Sequence, residues 1–366
     1  MNVVNSIVCL KDTFLVSRPD KQLDYLTPEF LRPLQCERAG EDHVADVIRV
    51  ASANLSLEDN LKQAYADGVN YILLGVPEDI GPRANVGQGG AMQGWPLFLQ
   101  TCLRRQANQF FDWRQCMVLG ALDLSDLQEA AQGASIEQYR QLCERVDERV
   151  SAIVKRVFEL GMEALVIGGG HNNAYPLIGA LSEVSDGQVA CCNLDPHADM
   201  RALEGRHSGN PFSYAYQHGY LGYYHVMGLH EQKNNQATLD LLTQSVGGFT
   251  SYQSLFVEKL TSFERAVQDV KQEMAEKGMP VGIELDVDTI KYTPASAYSV
   301  SGFTLEQASY YLNHMAQLAG VRYCHICEGA VAEMDTRDAV HVGQTLTELV
   351  YSFLIGRARR KGERHG

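Results

Sequence analysis

The feature that most constrains the fold is a series of short apolar runs, separated by stretches long enough to form helices. In each run, the odd and the even positions are both mainly apolar, so both faces of a strand formed there would be apolar. This pattern is typical of strands in a parallel sheet covered by helices on both faces. The runs are residues 71–76, 116–124, 164–171, 189–195, 223–230, 281–288 and 321–328. We therefore predict an α/β fold of three layers, α/β/α, around a central, mostly parallel sheet with right-handed crossovers.

Two capping signals mark helix starts between these runs. Ser135 is followed three residues later by Gln138, and Thr304 is followed three residues later by Gln307. Both pairs fit the capping box, in which the two side chains satisfy the free backbone groups of a first helical turn. After Ser135, apolar residues recur at helical spacing, so we expect a long helix there.

The length of the chain, 366 residues, is within reach of a single large α/β domain. Residues 1–65 lack the strand pattern described above. We expect them to form an N-terminal extension packed on one core domain, residues 66–366.

The composition of the chain limits the partners that it can bind and the cellular compartment in which it can work. The formal net charge of −14 disfavours nucleic acid and anionic membranes as partners. No apolar run reaches the roughly 18 residues of a membrane span, and the first residues lack the basic segment of a secretory signal. The adjacent Cys191 and Cys192, within an apolar run, indicate buried free thiols, and Cys324 and Cys327 are interpreted as core thiols. We expect a cytoplasmic protein.

Polar residues close four of the apolar runs. They are His171, Asp195, Asp286 and Glu328. The carboxyl ends of parallel strands meet at one edge of a sheet, where ligands bind, so we expect these side chains to converge.

Two of these strand ends carry further candidate ligands. In extended backbone, alternate side chains point the same way, so Asp195, His197 and Asp199 can face one side together. Asp286 and Asp288 can do the same. With the histidine that closes the run 164–171, these five residues make six candidate metal ligands.

The charge of this group requires a cation. Its four carboxylates would repel one another unless two divalent ions neutralised them or some carboxylates stayed protonated. Carboxylates with a minority of imidazoles suit Mn²⁺, although imidazole also admits Zn, Ni and Fe. Two neighbouring ions can share a water, lower its pKa and present hydroxide to an electrophilic carbon.

The chain resembles the ureohydrolase superfamily, which includes arginase, agmatinase and formimidoylglutamase. The likeness spans residues 73–330 and is carried by LLGVPEDIGPRANVGQGGA, IGGGHNNA, NLDPHADMR, RHSGNPF, ELDVD and, more weakly, ICEGA. It implies an arginase-like fold, a small-molecule substrate, and a dinuclear Mn²⁺ site with two ions per chain. It also implies a homo-oligomer, since members of the superfamily are often trimers or hexamers.

The resemblance assigns roles to the candidate ligands. It implies that His171 and Asp199 bind one ion, that His197 and Asp288 bind the other, and that Asp195 and Asp286 bridge them. A metal-bridging hydroxide would attack the substrate carbon, which makes the two bridging aspartates part of the catalytic group together with Glu328. The carboxylate of Glu328 would hold the cationic nitrogen end of the substrate.

The loop after the ligands is expected to bind the rest of the substrate. In arginase-like proteins a Ser-Gly-Asn segment contacts an amino-acid carboxylate, which makes Ser208 and Asn210 candidate contacts. Arg201 and Arg206 offer bidentate recognition of a carboxylate, with a structural salt bridge as the alternative for each. His207 lies beside this loop and is a further candidate, although a histidine near a strand is more often structural.

Two details favour the formimidoylglutamase branch. Gly170 lies in GGGH, as is common in formimidoylglutamases, where arginases and agmatinases have GGDH. Phe212 in SGNPF resembles the SGTPF of formimidoylglutamases and stands where arginases carry a histidine proton shuttle.

Other positions depart from the family pattern. Asn210 replaces a threonine, Pro196 replaces the alanine of DAH, and the usual DP after DxD is missing. Glu284 occupies a position that is usually small or hydroxylated. On an extended strand it shares a face with Asp286 and Asp288, so we expect it either to contact the ligands from behind or to reshape the pocket.

The leading hypothesis is a hydrolase that cleaves a C–N bond of a formimidoyl or guanidino substrate, such as the amino acid N-formimidoyl-glutamate. The alternatives are an arginase-like hydrolase that releases urea from a guanidino acid, and a non-catalytic binding protein of ureohydrolase fold. A binuclear metallophosphatase is disfavoured because its GD motif and late GHxH are missing.

Overall fold

All the strands of the computed structural model, which describes residues 15–17, 22–334 and 336–360, belong to one sheet. The strands are β1 Leu15–Ser17, β2 Leu23–Leu26, β3 Arg49–Val50, β4 Tyr71–Gly75, β5 Cys116–Leu122, β6 Glu163–Ile167, β7 Val189–Leu194, β8 Leu221–Leu229, β9 Gly247–Ser251, β10 Val281–Asp286 and β11 Val321–Cys327. The residues examined for a secretory signal lie largely outside the described part of the chain.

Thirteen α-helices occur in the described residues. They are α1 Pro28–Leu31, α2 Val44–Val47, α3 Leu57–Ala66, α4 Ile80–Ala84, α5 Gly94–Cys102, α6 Ser125–Ala130, α7 Ile136–Glu159, α8 Ala174–Ser185, α9 Pro211–Gln217, α10 Gln236–Leu241, α11 Phe263–Lys277, α12 Leu305–Met315 and α13 Arg337–Ala358. Among the helices that the structure describes, none is both long enough and apolar enough to cross a membrane.

The sheet is mostly parallel, as predicted. Its order is β1-β2-β5-β4-β6-β11-β10-β7-β8-β9, and β3 also pairs with β5. Among the described strands, antiparallel pairing is confined to β1 with β2 and β2 with β5. All seven predicted runs form strands, and four of them, β6, β11, β10 and β7, lie side by side at the centre. This arrangement places the polar residues that end those strands at one edge.

Helices cover both faces of the sheet and complete the three layers. Residues of α5, α11, α12 and α13 pack into the hydrophobic core on one face, and residues of α3, α7, α8 and α9 pack into the core on the other. The predicted capping boxes are present at the starts of α7 and α12. At α7, Ser135 Oγ accepts from the backbone N–H of Gln138, and Gln138 Oε1 accepts from the N–H of Ser135. The predicted fold class is confirmed.

The structure also contains strands that the sequence pattern does not predict. Three short ones, β1 to β3, lie within residues 1–65: β2 and β3 pair with β5, and β1 pairs with β2. The other is β9, an edge strand with the sequence GGFTS. These strands are short or lie at an edge, so they need no continuous apolar run, and the pattern that identifies central strands misses them.

The four cysteines named in the sequence analysis are buried and unpaired, as expected. Cys191, Cys192, Cys324 and Cys327 are free and buried within the core. Burial raises the pKa of the Cys324 and Cys327 thiols well above the usual value. Their environment is therefore that of core residues, in agreement with the sequence interpretation.

A buried ion pair joins the loop after β7 to α7. Arg206 Nε donates to Asp147 Oδ2 at 2.9 Å, and Arg206 Nη2 donates to the carbonyl of Asn172 at 2.9 Å. The guanidinium carbon also lies 4.6 Å from the ring centre of Tyr175 and 5.0 Å from that of Tyr214. Both charged side chains are buried, so each depends on the other for compensation.

Replacing Arg206 by Met should destabilise the fold, because the Asp147 carboxylate would be left buried and unpaired. We expect the free energy of unfolding to fall by about 3 kcal/mol in a urea titration. Arg149→Met is the matched control: Arg149 lies on α7, and its partner Asp126 is exposed. This control should cost less than about 1 kcal/mol. Equal losses of unfolding free energy in the two variants would contradict the conclusion that Arg206 compensates the buried charge of Asp147.

Candidate metal centre

The polar strand ends converge at the carboxyl edge of the four central strands. His171 follows β6, Asp195 follows β7, Asp286 ends β10 and Glu328 follows β11. All four side chains are buried. The sheet order therefore brings together residues that lie more than 150 positions apart in the sequence.

Three carboxylates surround one nitrogen of His171. Its Nδ1 lies 2.9 Å from Asp199 Oδ2, 3.1 Å from Asp195 Oδ2 and 3.5 Å from Asp286 Oδ2. These four donor atoms all lie within 4.8 Å of one another. One histidine nitrogen and three carboxylate oxygens could thus surround a single cation.

A second group of donors shares Asp195 with the first. His197 Nδ1 lies 3.2 Å from Asp288 Oδ2 and 3.4 Å from Asp195 Oδ1. Asp195 therefore presents one oxygen to each group, which is the arrangement expected of a residue that bridges two cations. The structure brings together all six candidate ligands named from the sequence.

The backbone reaches this arrangement by turns, and the prediction of extended backbone through the ligands is wrong. β7 ends before Asp195, and β10 ends at Asp286. Asp195 Oδ1 accepts from the backbone N–H of His197 at 2.6 Å, and Asp286 Oδ1 accepts from the N–H of Asp288 at 2.8 Å. The same side-chain turn thus follows both strands, and it brings the ligand two residues later back toward the aspartate. Asp199 has a left-handed backbone with φ 47°.

Several buried polar atoms at this centre have no hydrogen-bond partner among the described residues. They include both ring nitrogens of His171, Oδ1 of Asp288 and Oε2 of Glu328. Burial, and then the neighbouring Asp288 and Asp195, raise the pKa of Asp286 well above its usual value. Unpartnered donors and crowded carboxylates are what a metal-binding site presents before a cation neutralises it.

Glu328 stands at the wall of the centre in a constrained conformation. Its backbone has φ 63°, in the left-handed region, and its N–H donates to the carbonyl of Gly169 at 2.9 Å. Its Oε1 accepts from the backbone N–H of His171 at 2.8 Å. Burial raises the pKa of the carboxyl to about 8, although hydrogen bonds from Ser296 and from the His171 N–H oppose the shift. The second oxygen is left available to a ligand.

The GGGH loop is held by a carboxylate that the sequence analysis did not identify. Glu78 is fully buried, and its Oε1 accepts from the N–H of Gly170 at 2.7 Å and from Asn173 Nδ2 at 2.9 Å. A Cβ at Gly170 would lie 2.3 Å from Pro82 Cδ. Close packing therefore explains why this chain has GGGH in place of GGDH.

A cavity of about 160 Å³ lies over the candidate ligands. Three of the predicted substrate-side residues line it: Arg201, Ser208 and Glu328. It is also lined by residues that the sequence analysis missed, namely Asn85, Lys233, Asn234, Asn235, Thr238 and Ser296. Lys233 follows the end of β8, so the strand-end argument applied to that strand could have identified it.

Three other predicted contacts lie away from this cavity, so their expected role in substrate binding needs correction. Arg206 is held in its ion pair under α7. The Asn210 side chain accepts from Arg206 and donates to the carbonyls of Ala202 and Gly205. His207 is fully buried, and its Nδ1 accepts from the Gly209 N–H at 3.0 Å. These residues use their polar atoms to shape the loop that carries Ser208.

Phe212 also packs behind the centre. It is fully buried, stacks on Tyr224 with ring centres 4.1 Å apart, and meets the ring of His171 edge-on at 5.5 Å. A side chain in this place supports the orientation of the His171 ring. It does not face the cavity, where a proton shuttle would act.

Metal binding should release protons, because the metal-free ligands hold them. Burial lowers the pKa of His171, but its hydrogen bonds with the carboxylates of Asp195, Asp199 and Asp286 outweigh this and hold the pKa well above the usual value. The same balance raises the pKa of His197 beside Asp288. A divalent cation needs both nitrogens deprotonated. We expect affinity for the cation to rise with pH through and above the ordinary range of histidine, because the raised pKa values keep both rings protonated there. Calorimetric titration in buffers of different ionisation enthalpy would measure the number of protons released on metal binding. An affinity that does not change with pH would contradict the prediction.

Comparisons with known proteins identify the family of the chain and agree with its fold. The arginase family model matches residues 69–349. The formimidoylglutamase of Streptococcus gordonii is 30% identical over 200 residues, which are 52% of this chain and 56% of that protein. The formimidoylglutamase of Streptococcus pyogenes is 27% identical over 191 residues, 50% of this chain and 53% of that protein. The matches thus span about half the length of these curated relatives.

Solved structures share the fold. Formiminoglutamase of Trypanosoma cruzi with Mn²⁺ has a TM-score of 0.69 at 19% identity, over 88% of this chain and 100% of that chain. Formimidoylglutamase of Bacillus subtilis has a TM-score of 0.71 at 15% identity, over 89% of this chain and 95% of that chain. The family match covers most of the sequence, including every candidate ligand, and the chain belongs to the arginase family.

Proposed function

We propose that this chain is a manganese-dependent hydrolase that cleaves N-formimidoyl-glutamate to glutamate and formamide. The observation that carries the proposal is the convergence of two histidines and four aspartates into two donor groups sharing one carboxylate. Membership of the arginase family and the similarity to formimidoylglutamases support it. So does the T. cruzi structure, which contains Mn²⁺.

The donor set suits two Mn²⁺ ions. Carboxylate oxygens with a minority of imidazoles match the ligand preference of this metal. In the proposal, His171 and Asp199 would hold one ion, His197 and Asp288 would hold the other, and Asp195 and Asp286 would contribute to both. Two such ions would lower the pKa of a water molecule at the site and would thereby supply the nucleophile.

Glu328 is proposed to bind the reacting end of the substrate. Its free Oε2 is buried and unpartnered, and the residue lines the cavity over the ligands. A carboxylate there can accept an N–H of the cationic formimidoyl group and orient its carbon toward the ligands. The water oxygen bonds to the formimidoyl carbon, the C–N bond to the glutamate nitrogen breaks, and that nitrogen leaves as an amine with a proton that the water supplies.

Two cationic side chains at the cavity favour a substrate with two carboxylates. Arg201 and Lys233 both line it, and neither forms an ion pair among the described residues. N-formimidoyl-glutamate offers two carboxylates and no free α-ammonium group, so both cations gain a partner. Arginine offers a single carboxylate, and its α-ammonium group would be repelled by these cations.

The proposal extends to assembly and location. We propose a cytoplasmic homo-oligomer, a trimer or hexamer as is common in the superfamily, that does not act on nucleic acid or membranes. The buried free thiols support the proposed location. The net charge of −14 disfavours nucleic acid and anionic membranes as partners. We also propose that residues 66–366 form one ureohydrolase-like domain with residues 1–65 packed on it as an extension.

The first test is a product assay on Mn²⁺-loaded protein with N-formimidoyl-glutamate, arginine, agmatine and guanidinobutyrate. We expect formamide from the first compound and no urea from the others. Asp286→Ala should lose both the activity and tight retention of the metal, because Asp286 is proposed to bridge both ions. Urea as the product would overturn the proposed substrate class, and full activity in a metal-stripped Asp286→Ala protein would overturn the mechanism.

The second test concerns Arg201 and Lys233. Replacing either one by Gln should raise KM for N-formimidoyl-glutamate by roughly tenfold or more, because a charge-assisted hydrogen bond is lost, and should change kcat much less. Lys277→Gln, far from the cavity on α11, is the control. A formimidoyl amino acid lacking the side-chain carboxylate should be insensitive to one of the two replacements. An unchanged KM in both variants would refute the assignment.

A further inference from the structure

A second row of polar side chains lies one step inside the sheet from the candidate ligands. Asn193, Glu284 and His325 are paired in register on β7, β10 and β11, and all three are fully buried. Asn193 precedes Asp195 by two residues, and Glu284 precedes Asp286 by two. Alternation along a strand therefore places the row on the same face as these ligands. Buried polar groups cost free energy unless they are partnered, so the contacts of this row indicate its role.

Glu284 is the centre of the row and is held by two donors. Its Oε1 accepts from the Tyr323 hydroxyl at 2.8 Å. Its Oε2 lies 2.7 Å from His325 Nδ1, which is the donor because the carboxylate can only accept. Both partners lie on β11, so the position of this carboxylate is set by the neighbouring strand.

The candidate ligand His171 also lies beside the carboxylate of Glu284. While His171 Nδ1 faces the ligand carboxylates, its Nε2 points the other way and lies 3.6 Å from Glu284 Oε2. This nitrogen is buried and has no hydrogen-bond partner among the described residues. Phe212 and His325 meet the ring edge-on, with ring centres 5.5 and 6.0 Å away. The ring is therefore confined with Nε2 directed at the carboxylate.

We propose that Glu284 is a positioning residue of the metal centre, which accepts a hydrogen bond from His171 Nε2 and so holds Nδ1 toward the ion. A ligand histidine is oriented by the acceptor of its second N–H, which fixes the tautomer and strengthens the metal bond. Tyr323 and His325 hold Glu284 in place, as Asn193 holds Asp195 through a hydrogen bond of 2.9 Å. This inference rests on the proposed metal centre.

Metal-free protein and its Glu284→Gln variant should be titrated with Mn²⁺ while free Mn²⁺ is followed by electron paramagnetic resonance. The amide keeps the shape of the side chain but loses the charge and one acceptor. We expect one of the two ions to bind about 10- to 100-fold more weakly, with the other less affected. Visible absorption of the Co²⁺-loaded proteins should change in the variant, because a ligand imidazole is reoriented.

Glu163→Gln is the matched control. Glu163 is also a buried, ion-paired carboxylate of the sheet, but it lies at the start of β6 and pairs with Arg357. This change should lower the melting temperature while leaving Mn²⁺ affinity unaltered. If Glu284→Gln fails to fold, Tyr323→Phe can be used in its place. This change removes one hydrogen-bond donor to Glu284 and should weaken the binding of one Mn²⁺ ion a few-fold.

The outcomes separate this inference from the proposed function. Unaltered Mn²⁺ affinity and an unaltered Co²⁺ spectrum in Glu284→Gln, or unaltered affinity in Tyr323→Phe used in its place, would overturn the role of Glu284 alone. Failure of the unaltered chain to bind two ions would overturn the proposed function and this inference together. A selective loss of one ion, absent from Glu163→Gln, supports the inference.

Discussion

The arrangement of this molecule depends on the crowding of like charges at one edge of a parallel sheet. Four aspartates end or follow two central strands, and the oxygens of three of them lie within 3.5 Å of a single histidine nitrogen. Such a group is unfavourable in an apolar interior unless cations or protons neutralise it. The turns after β7 and β10, the glycine loop after β6 and the strained Glu328 all keep these groups together despite their repulsion.

Much of the fold and of the ligand set follows from the sequence, for identifiable physical reasons. Central strands are apolar on both faces, so each leaves a continuous run, and the polar residue ending the run marks the common edge. Asp195 and Asp286 could be located in this way. Edge strands such as β9 are paired on one side and leave no such pattern. The backbone after the strands also escaped prediction, because an aspartate that accepts the N–H two residues on replaces extended chain by a turn.

The direction of loop side chains was the least predictable property. Arg201 and Arg206 have the same chemistry and lie in one loop, yet the first lines the cavity and the second is buried against Asp147. The difference depends on contacts with α7, which come from a distant part of the chain. Lys233 was missed because the strand-end argument was applied to β6, β7, β10 and β11 and not to β8.

The two cationic side chains at the cavity, Arg201 and Lys233, affect how a substrate approaches the site. A chain with a formal net charge of −14 repels an anionic substrate at long range, and at physiological ionic strength this field fades over a Debye length of about 8 Å. Within that distance, Arg201, Lys233 and the proposed metal ions make the local potential attractive. Capture of the proposed substrate is therefore a short-range event with little electrostatic steering, and added salt should speed the encounter at long range while weakening the bound complex.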